Sequence, residues 1–148
     1  MPEPEEALLR QRELYDAYIR KVLDLELNRK PGAGIFGMKG GPADDPCHER
    51  FAESLRSFYD ELAARKPESE TVRRLMAYAC TAPQKKEIPR TAFWMLIAVQ
   101  GLLQPLVALL SAQDAQELVE SYEKSYRRRE RMPVQNKLIK ALQTASGQ

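Results

Sequence analysis

The stretch AFWMLIAVQGLLQPLVALL, residues 92–110, carries no charged side chain and decides how the rest of the chain can fold. As one α-helix it would be about 28 Å long, close to the roughly 30 Å of a bilayer core. Gln100, Gln104 and Pro105 interrupt it, however, and the segments on either side have single apolar stripes that need a surface to pack on. A helix that is apolar all round suits the centre of a helical domain. We therefore predict a buried central helix with companions on every side, and no membrane span.

Outside this stretch, apolar residues recur every three or four positions, which is the period of amphipathic helices, and no strand-like alternation occurs. Proline and glycine mark the helix ends. The predicted helices cover residues 5–29, 46–66, 69–81, 90–110, 112–131 and 133–143. The sequence thus predicts an all-α, single compact domain over residues 1–148, with about six helices packed around the central one, which is kinked or split at Pro105. Residues 31–45 form a glycine-rich connecting loop and residues 144–148 a frayed tail.

The composition is typical of a soluble globular protein, with 43% hydrophobic and 30% charged residues. The 23 basic and 21 acidic side chains nearly cancel, so the overall charge points to no polyanionic partner. The acidic N-terminus lacks the basic start and apolar run of a secretory signal. Because Cys47 and Cys80 are the only cysteines, we expect free thiols and a cytoplasmic location.

Five of the seven glycines lie in the loop, and Gly32, Gly34 and Gly37 match the spacing of a dinucleotide-binding fingerprint. That chemistry requires a strand before the glycines and a helix after them, so that pyrophosphate meets backbone N–H groups. Here a charged helical pattern precedes them, and a Gly-Gly-Pro sequence follows shortly after. We therefore expect no nucleotide and no cofactor at this loop.

The same loop places Ile35, Phe36 and Met38 among the glycines, which is unusual for a solvated linker. Two interpretations stay open. Either these side chains fold back over the core while the glycines allow the turns, or the loop is a flap or docking segment that presents Phe36 to a partner. Phe36, Met38 and Lys39 are therefore candidate binding residues.

The segment DDPCHE, residues 44–49, contains the single histidine of the chain. Asp45, which a proline follows, is typical of a helix start, where a carboxylate caps backbone N–H groups and complements the helix dipole. Neighbours on a helix do not face each other, so Cys47 and His48 make a poor nucleophile pair. The chain also offers too few soft ligands for zinc. We predict structural capping and no metal, with Asp44 and His48 as candidate binding residues.

The end of the fifth predicted helix carries four basic residues at i, i+3, i+4 and i+7, which makes one basic stripe. They are Lys124, Arg127, Arg128 and Arg131. Such a stripe suits a solvated face, an acidic partner or nucleic-acid phosphates. Glutamates four positions before Lys124 and Arg127 favour ion pairs within the helix. Nucleic-acid contact is therefore an alternative, and not our main interpretation.

Gln100 and Gln104 lie four residues apart and hence on one face of the central helix. Buried amides need hydrogen-bond partners. Backbone carbonyls freed by Pro105, a subunit contact or a small-molecule ligand can all supply them. Both glutamines are therefore candidate binding residues, although we favour a structural role.

No constellation in the chain predicts catalysis, so the best-supported function is a non-enzymatic helical protein–protein interaction module, with a protein partner or a second copy of the chain. The first alternative is a nucleic-acid-binding accessory protein that uses the basic stripe. The second is a small-molecule-binding protein or enzyme with its site between residues 31–49 and the central helix. That site requires His48 or Asp44 to meet one of the two glutamines.

Overall fold

The structure, a computed structural model, describes residues 3–27, 45–85 and 87–147. All regular secondary structure in these ranges is helical, and the helices share one hydrophobic core. The helices are α1 (Pro4–Leu27), α2 (Cys47–Ala64), α3 (Ser69–Thr81), α4 (Arg90–Ala98), α5 (Gln104–Val107), α6 (Ala112–Ser125) and α7 (Pro133–Ala145), with 3-10 turns at Ala82–Gln84, Val99–Leu103 and Arg128–Glu130. The predicted all-α single compact domain is confirmed.

The central stretch is divided, as its proline predicts. Its two α-helical parts, α4 and α5, are joined by the 3-10 turn Val99–Leu103. Pro105 lies in the first turn of α5, where its missing N–H leaves no helical hydrogen bond unmade. The 3-10 turn contacts α2, α3 and α7, while α4 contacts α1 and α7. The divided stretch is therefore the common packing surface of both halves of the chain.

The central stretch is not enclosed on every side, which corrects the expectation from its composition. Four residues along it are exposed, namely Trp94, Ala98, Pro105 and Ala108. Ala98, Pro105 and Ala108 have small side chains, so their exposure to water costs little free energy. None of the helices in the described ranges has both the length and the apolar composition needed to cross a bilayer.

Polar side chains begin two helices at the places that the sequence predicts. The carboxylate of Asp45 accepts a hydrogen bond of 2.8 Å from the N–H of Cys47 at the start of α2. The hydroxyl of Ser111 accepts one of 3.1 Å from the N–H of Asp114 at the start of α6. Ser69, at the start of α3, accepts a hydrogen bond from Ser111 N–H at 2.7 Å and donates one to Asp114 at 2.5 Å. Because of Ser69, the caps also fix α3 against α6.

The core contains a buried glutamine that the apolar periodicity of the sequence does not predict. Gln11 of α1 is fully buried, and its amide group donates to the carbonyl of Leu75 in α3 at 3.1 Å. Its carbonyl accepts a hydrogen bond of 2.5 Å from the hydroxyl of Tyr59 in α2. Both ends of the amide are thus satisfied, as burial requires. One side chain therefore sets the register of three helices.

Two helix ends differ from their predicted positions. The helix that starts at residue 112 ends at Ser125 and not near residue 131, because Tyr126 adopts extended backbone and turns its ring into the core. Tertiary contact there overrides a helical charge pattern. The last helix continues through Ala145, although a frayed tail was predicted from residue 144. Gly147, with φ of +86°, follows it in the left-handed conformation that commonly ends helices.

Candidate functional site

The candidate site centres on Trp94, the single tryptophan of the chain, which is 54% exposed on α4. Indole rings are highly buried on average, so this exposure marks the ring for a role outside the core. Trp94 forms part of the wall of two neighbouring cavities, of about 480 Å³ and about 240 Å³. We call the face that contains both cavities the Trp94 surface; its main residues are His48, Arg90, Trp94, Met95, Glu130 and Met132.

The larger cavity joins the start of α2 to the first turns of α4. His48 lines it together with Arg90, Thr91, Trp94 and Met95. Arg90 precedes Trp94 by four residues, so both side chains lie on the same face of α4. A cation, a hydroxyl group, an imidazole and an indole therefore border one concave surface.

Tyr18 of α1 positions the imidazole of His48. Its hydroxyl oxygen lies 2.6 Å from Nδ1 of His48, and its ring stacks on Phe51 with centroids 4.3 Å apart. Burial raises the pKa of Tyr18 above its ordinary value, with a smaller contribution from Cys47. The phenol thus stays protonated at neutral pH, and its hydrogen bond to Nδ1 fixes the orientation of the imidazole ring.

The smaller cavity lies between α4 and the connection from α6 to α7. Trp94 and Met132 both line it, and Met132 is 42% exposed. The edge of the Trp94 ring meets the ring of the neighbouring Phe93, with centroids 5.1 Å apart. Met132 adopts extended backbone immediately before α7. Two large apolar side chains are thus open to solvent on one face.

Behind this cavity lies a buried polar network around Gln100, which is fully buried. Its carbonyl accepts hydrogen bonds from the hydroxyl of Tyr122 at 2.5 Å and from the amide of Gln135 at 3.4 Å. Its own amide donates to the hydroxyl of Tyr126 at 3.3 Å. Tyr126 in turn donates to the carbonyl of Cys80 at 2.5 Å. Gln100 is thereby committed to structural hydrogen bonds, as we favoured from the sequence.

The second alternative requires His48 or Asp44 to meet Gln100 or Gln104, and the described residues do not bring His48 to either glutamine. His48 faces Arg90 and Trp94 across the larger cavity, whereas neither Gln100 nor Gln104 lines it. Gln100 points into the network described above, and Gln104 is half-buried at the start of α5. The remaining candidates of the glycine-rich loop, Phe36, Met38, Lys39 and Asp44, lie outside the described residues.

The basic stripe predicted on the fifth helix does not exist as a helical face. Lys124 lies in the last turn of α6, but the helix ends one residue later. Arg127 and Arg131 adopt extended backbone on either side of the turn Arg128–Glu130. The guanidinium of Arg131 donates to the carbonyl of Tyr126 at 3.1 Å. These basic residues therefore belong to a surface connection beside the Trp94 surface.

Both cysteines are buried free thiols. Burial raises the pKa of the Cys47 thiol to about 11, with a further contribution from its hydrogen bond to Asp45. Burial alone raises the pKa of Cys80 to about 12. Among the residues that the structure describes, no three histidine, cysteine, aspartate or glutamate side chains come together as metal ligands do.

Sequence reasoning missed Trp94 because it belongs to the apolar stretch predicted to be buried, and Met132 because it falls between two predicted helices. The signal that marks Trp94 is Arg90, one helical turn earlier on the same face. Comparison with protein-family models, with curated proteins and with solved structures found no match. The function is therefore inferred from the geometry of these surfaces.

Proposed function

We propose that this protein is a non-enzymatic helical interaction module that binds another protein through the Trp94 surface. The exposure of Trp94, with Met132 beside it, is the observation that carries the proposal. Tryptophan, tyrosine and arginine dominate the energetics of protein interfaces, where they fill pockets near the centre of the contact. Burial of the exposed part of one indole, with its large apolar area, is a main source of affinity.

Charge defines the kind of partner. Residues 124–131 include five basic side chains and one glutamate, a net charge of +4, and Arg90 adds another cation at the edge of the larger cavity. Positive charge at the rim of an interface speeds the encounter with negative surfaces and disfavours basic ones. The partner surface is therefore acidic, with an apolar side chain that reaches between Trp94 and Met132.

The chemistry of the described residues supports binding over catalysis. A thiol is an effective nucleophile only as the thiolate, and burial raises the pKa of both cysteines well above neutrality. We include a cytoplasmic location in the proposal, since a reducing compartment suits two free buried thiols.

Site-specific photo-crosslinking tests the proposal in the cell that makes the protein. A photoreactive amino acid replaces Trp94, and in a matched control it replaces Gln113, an exposed residue near the start of α6. Gln113 lies about 18 Å along the helix from Ser125, which borders the smaller cavity. We expect a discrete protein adduct from position 94 and none from position 113. Equal adducts from both positions, or none from position 94, would overturn the proposal.

A small-molecule site in the larger cavity is a second candidate, favoured by the position of His48 in the same cavity lining as four residues of α4. Arg90 and Thr91 suit a carboxylate, and Trp94 with Met95 suits an apolar or aromatic body. Phenylacetate and indole-3-acetate are suitable probes for thermal-shift assays. A stabilisation that is lost in Arg90→Ala and kept in Arg129→Ala would support this candidate. The nucleic-acid alternative loses its geometric basis, because the basic residues do not share one helical face.

A further inference from the structure

A second open surface lies between the N-terminal half of α1 and the C-terminal half of α2. It is a groove of about 360 Å³. Four carboxylates lie along it, and we call it the acidic groove; they are Glu3, Glu6, Glu13 and Glu61. Two arginines in its lining leave it a net charge of −2. Leu9, which is 55% exposed, and the half-buried Phe58 give it apolar walls.

The acidic groove and the connection from α6 to α7 are complementary. We call residues 127–132 the basic segment; it contains four arginines, one glutamate and the exposed Met132. Its backbone is extended at Arg127, Arg131 and Met132, so it offers a narrow strip of chain and not a helical face. Acidic walls with exposed leucine on one surface thus match arginines with exposed methionine on the other.

The larger cavity of the Trp94 surface and the acidic groove lie near opposite ends of α1. Thr91 of the Trp94 surface donates to Glu26 near the C-terminal end of α1 at 3.4 Å. The acidic groove lies around Glu6, near the other end of the same helix. Twenty helical residues separate the two places, which is about 30 Å. No residue of the basic segment lines the acidic groove of its own chain in the described structure, so the segment can enter the groove of another chain.

We infer that the occupant of the acidic groove is the basic segment of a second copy of this chain. The inference rests on the proposed function, since it makes the edge of the Trp94 surface one half of the contact. Pairing two Trp94 surfaces face to face would bring like charges together, which disfavours a symmetric dimer. The contact is instead head-to-tail, and such contacts extend into open series unless the rotation closes them into a ring.

Two variants that neutralise exposed charges test this contact. The groove variant carries Glu6→Gln, Glu13→Gln and Glu61→Gln, and the segment variant carries Arg127→Gln, Arg128→Gln and Arg129→Gln. We expect the wild-type mass in sedimentation equilibrium to rise with concentration beyond two chains and to fall at high salt. Each variant alone is expected to be monomeric. An equimolar mixture should form complexes of two chains, because one intact groove and one intact segment remain.

Circular dichroism and thermal unfolding are used first, to check that both variants keep the wild-type fold. A wild-type protein that is monomeric at every concentration would overturn the inference, as would association of either variant alone or a mixture that stays monomeric. The proposed function is judged separately by crosslinking. If position 94 forms an adduct with a different protein and the wild type is monomeric, only the inference about a second copy is overturned. If position 94 forms no adduct at all, the proposed function as an interaction module is overturned as well.

Discussion

The hydroxyl of Tyr122 in α6 lies 2.5 Å from the carbonyl oxygen of Gln100 in the central 3-10 turn. Burial raises the pKa of Tyr122 above its ordinary value, so this phenol stays protonated at neutral pH and donates to the carbonyl of Gln100. Gln100 connects it to Tyr126 and Gln135 in the same network. The turn that divides the central stretch is therefore held by side chains from the C-terminal helices.

Gln100→Ala should destabilise the protein by about 2 to 4 kcal/mol, because it leaves two buried donors without an acceptor and opens a cavity. Urea unfolding followed by circular dichroism measures the change. Gln104→Ala, at a half-buried position of the same stretch, is the matched control and should stay within about 0.5 kcal/mol. Equal losses from the two variants would contradict the structural role of Gln100.

Gly101 lies so close to α7 that a side chain has no room. A Cβ atom placed there would meet Cγ2 of Val134 at 2.8 Å. The side chain of valine is short and stiff at χ1, so it cannot move aside easily. We expect Gly101→Ala to cost about 1 to 3 kcal/mol of unfolding free energy. Val134→Ala in the same chain should recover part of this loss, and a double-mutant cycle without coupling would contradict the contact.

The hydrogen bonds of Ser69 predict that α3 and α6 lose stability together. Ser69→Ala removes the acceptor of Ser111 N–H and the donor to Asp114, which we expect to cost about 1 kcal/mol. Ser57→Ala, on the exposed face of α2, is the control and should change the unfolding free energy by less than about 0.5 kcal/mol. Hydrogen exchange of amides in the first turn of α6 should quicken in the first variant only.

The raised pKa of Cys47 predicts slow modification by thiol reagents near neutral pH. Its labelling rate, followed by mass spectrometry at each site, should increase as the pH approaches about 11. Asp45→Asn removes a carboxylate that raises this pKa, so the variant should react faster at the same pH. Cys80, with a pKa of about 12, should label more slowly still. A Cys47 that reacts as fast as free cysteine at pH 8 would contradict this environment.

Helix positions were predictable where single residues enforce them. Asp45 before proline and Ser111 three residues before Asp114 mark helix starts by local chemistry, and both caps are present. The end at Ser125 was not predictable, because Tyr126 leaves the helix to reach Gln100 and the carbonyl of Cys80, both distant in sequence. Local patterns carry no information on such contacts.

The candidate site was predictable only in part. Position 48 carries the single histidine, and a site between residues 31–49 and the central helix was one of the alternatives drawn from the sequence. Trp94 was missed because, in a segment that is apolar all round, the sequence pattern does not show which side chains face the core and which face solvent. Gln11 and Gln135 were missed because a polar side chain interrupts the apolar pattern and therefore looks exposed. In the structure both side chains are buried, and their hydrogen bonds to other buried groups make this possible.

The emission of Trp94 tests the central claim most directly, because the chain has a single tryptophan. The spectrum is recorded over a wide dilution series of the wild type and of the variant with Arg127, Arg128 and Arg129 replaced by glutamine. We predict long-wavelength emission, typical of a hydrated indole, in the dilute wild type and in the variant at every concentration. As the wild type associates, its emission should move to shorter wavelength. A spectrum that stays the same while the mass rises would contradict the assignment of Trp94 to the binding surface.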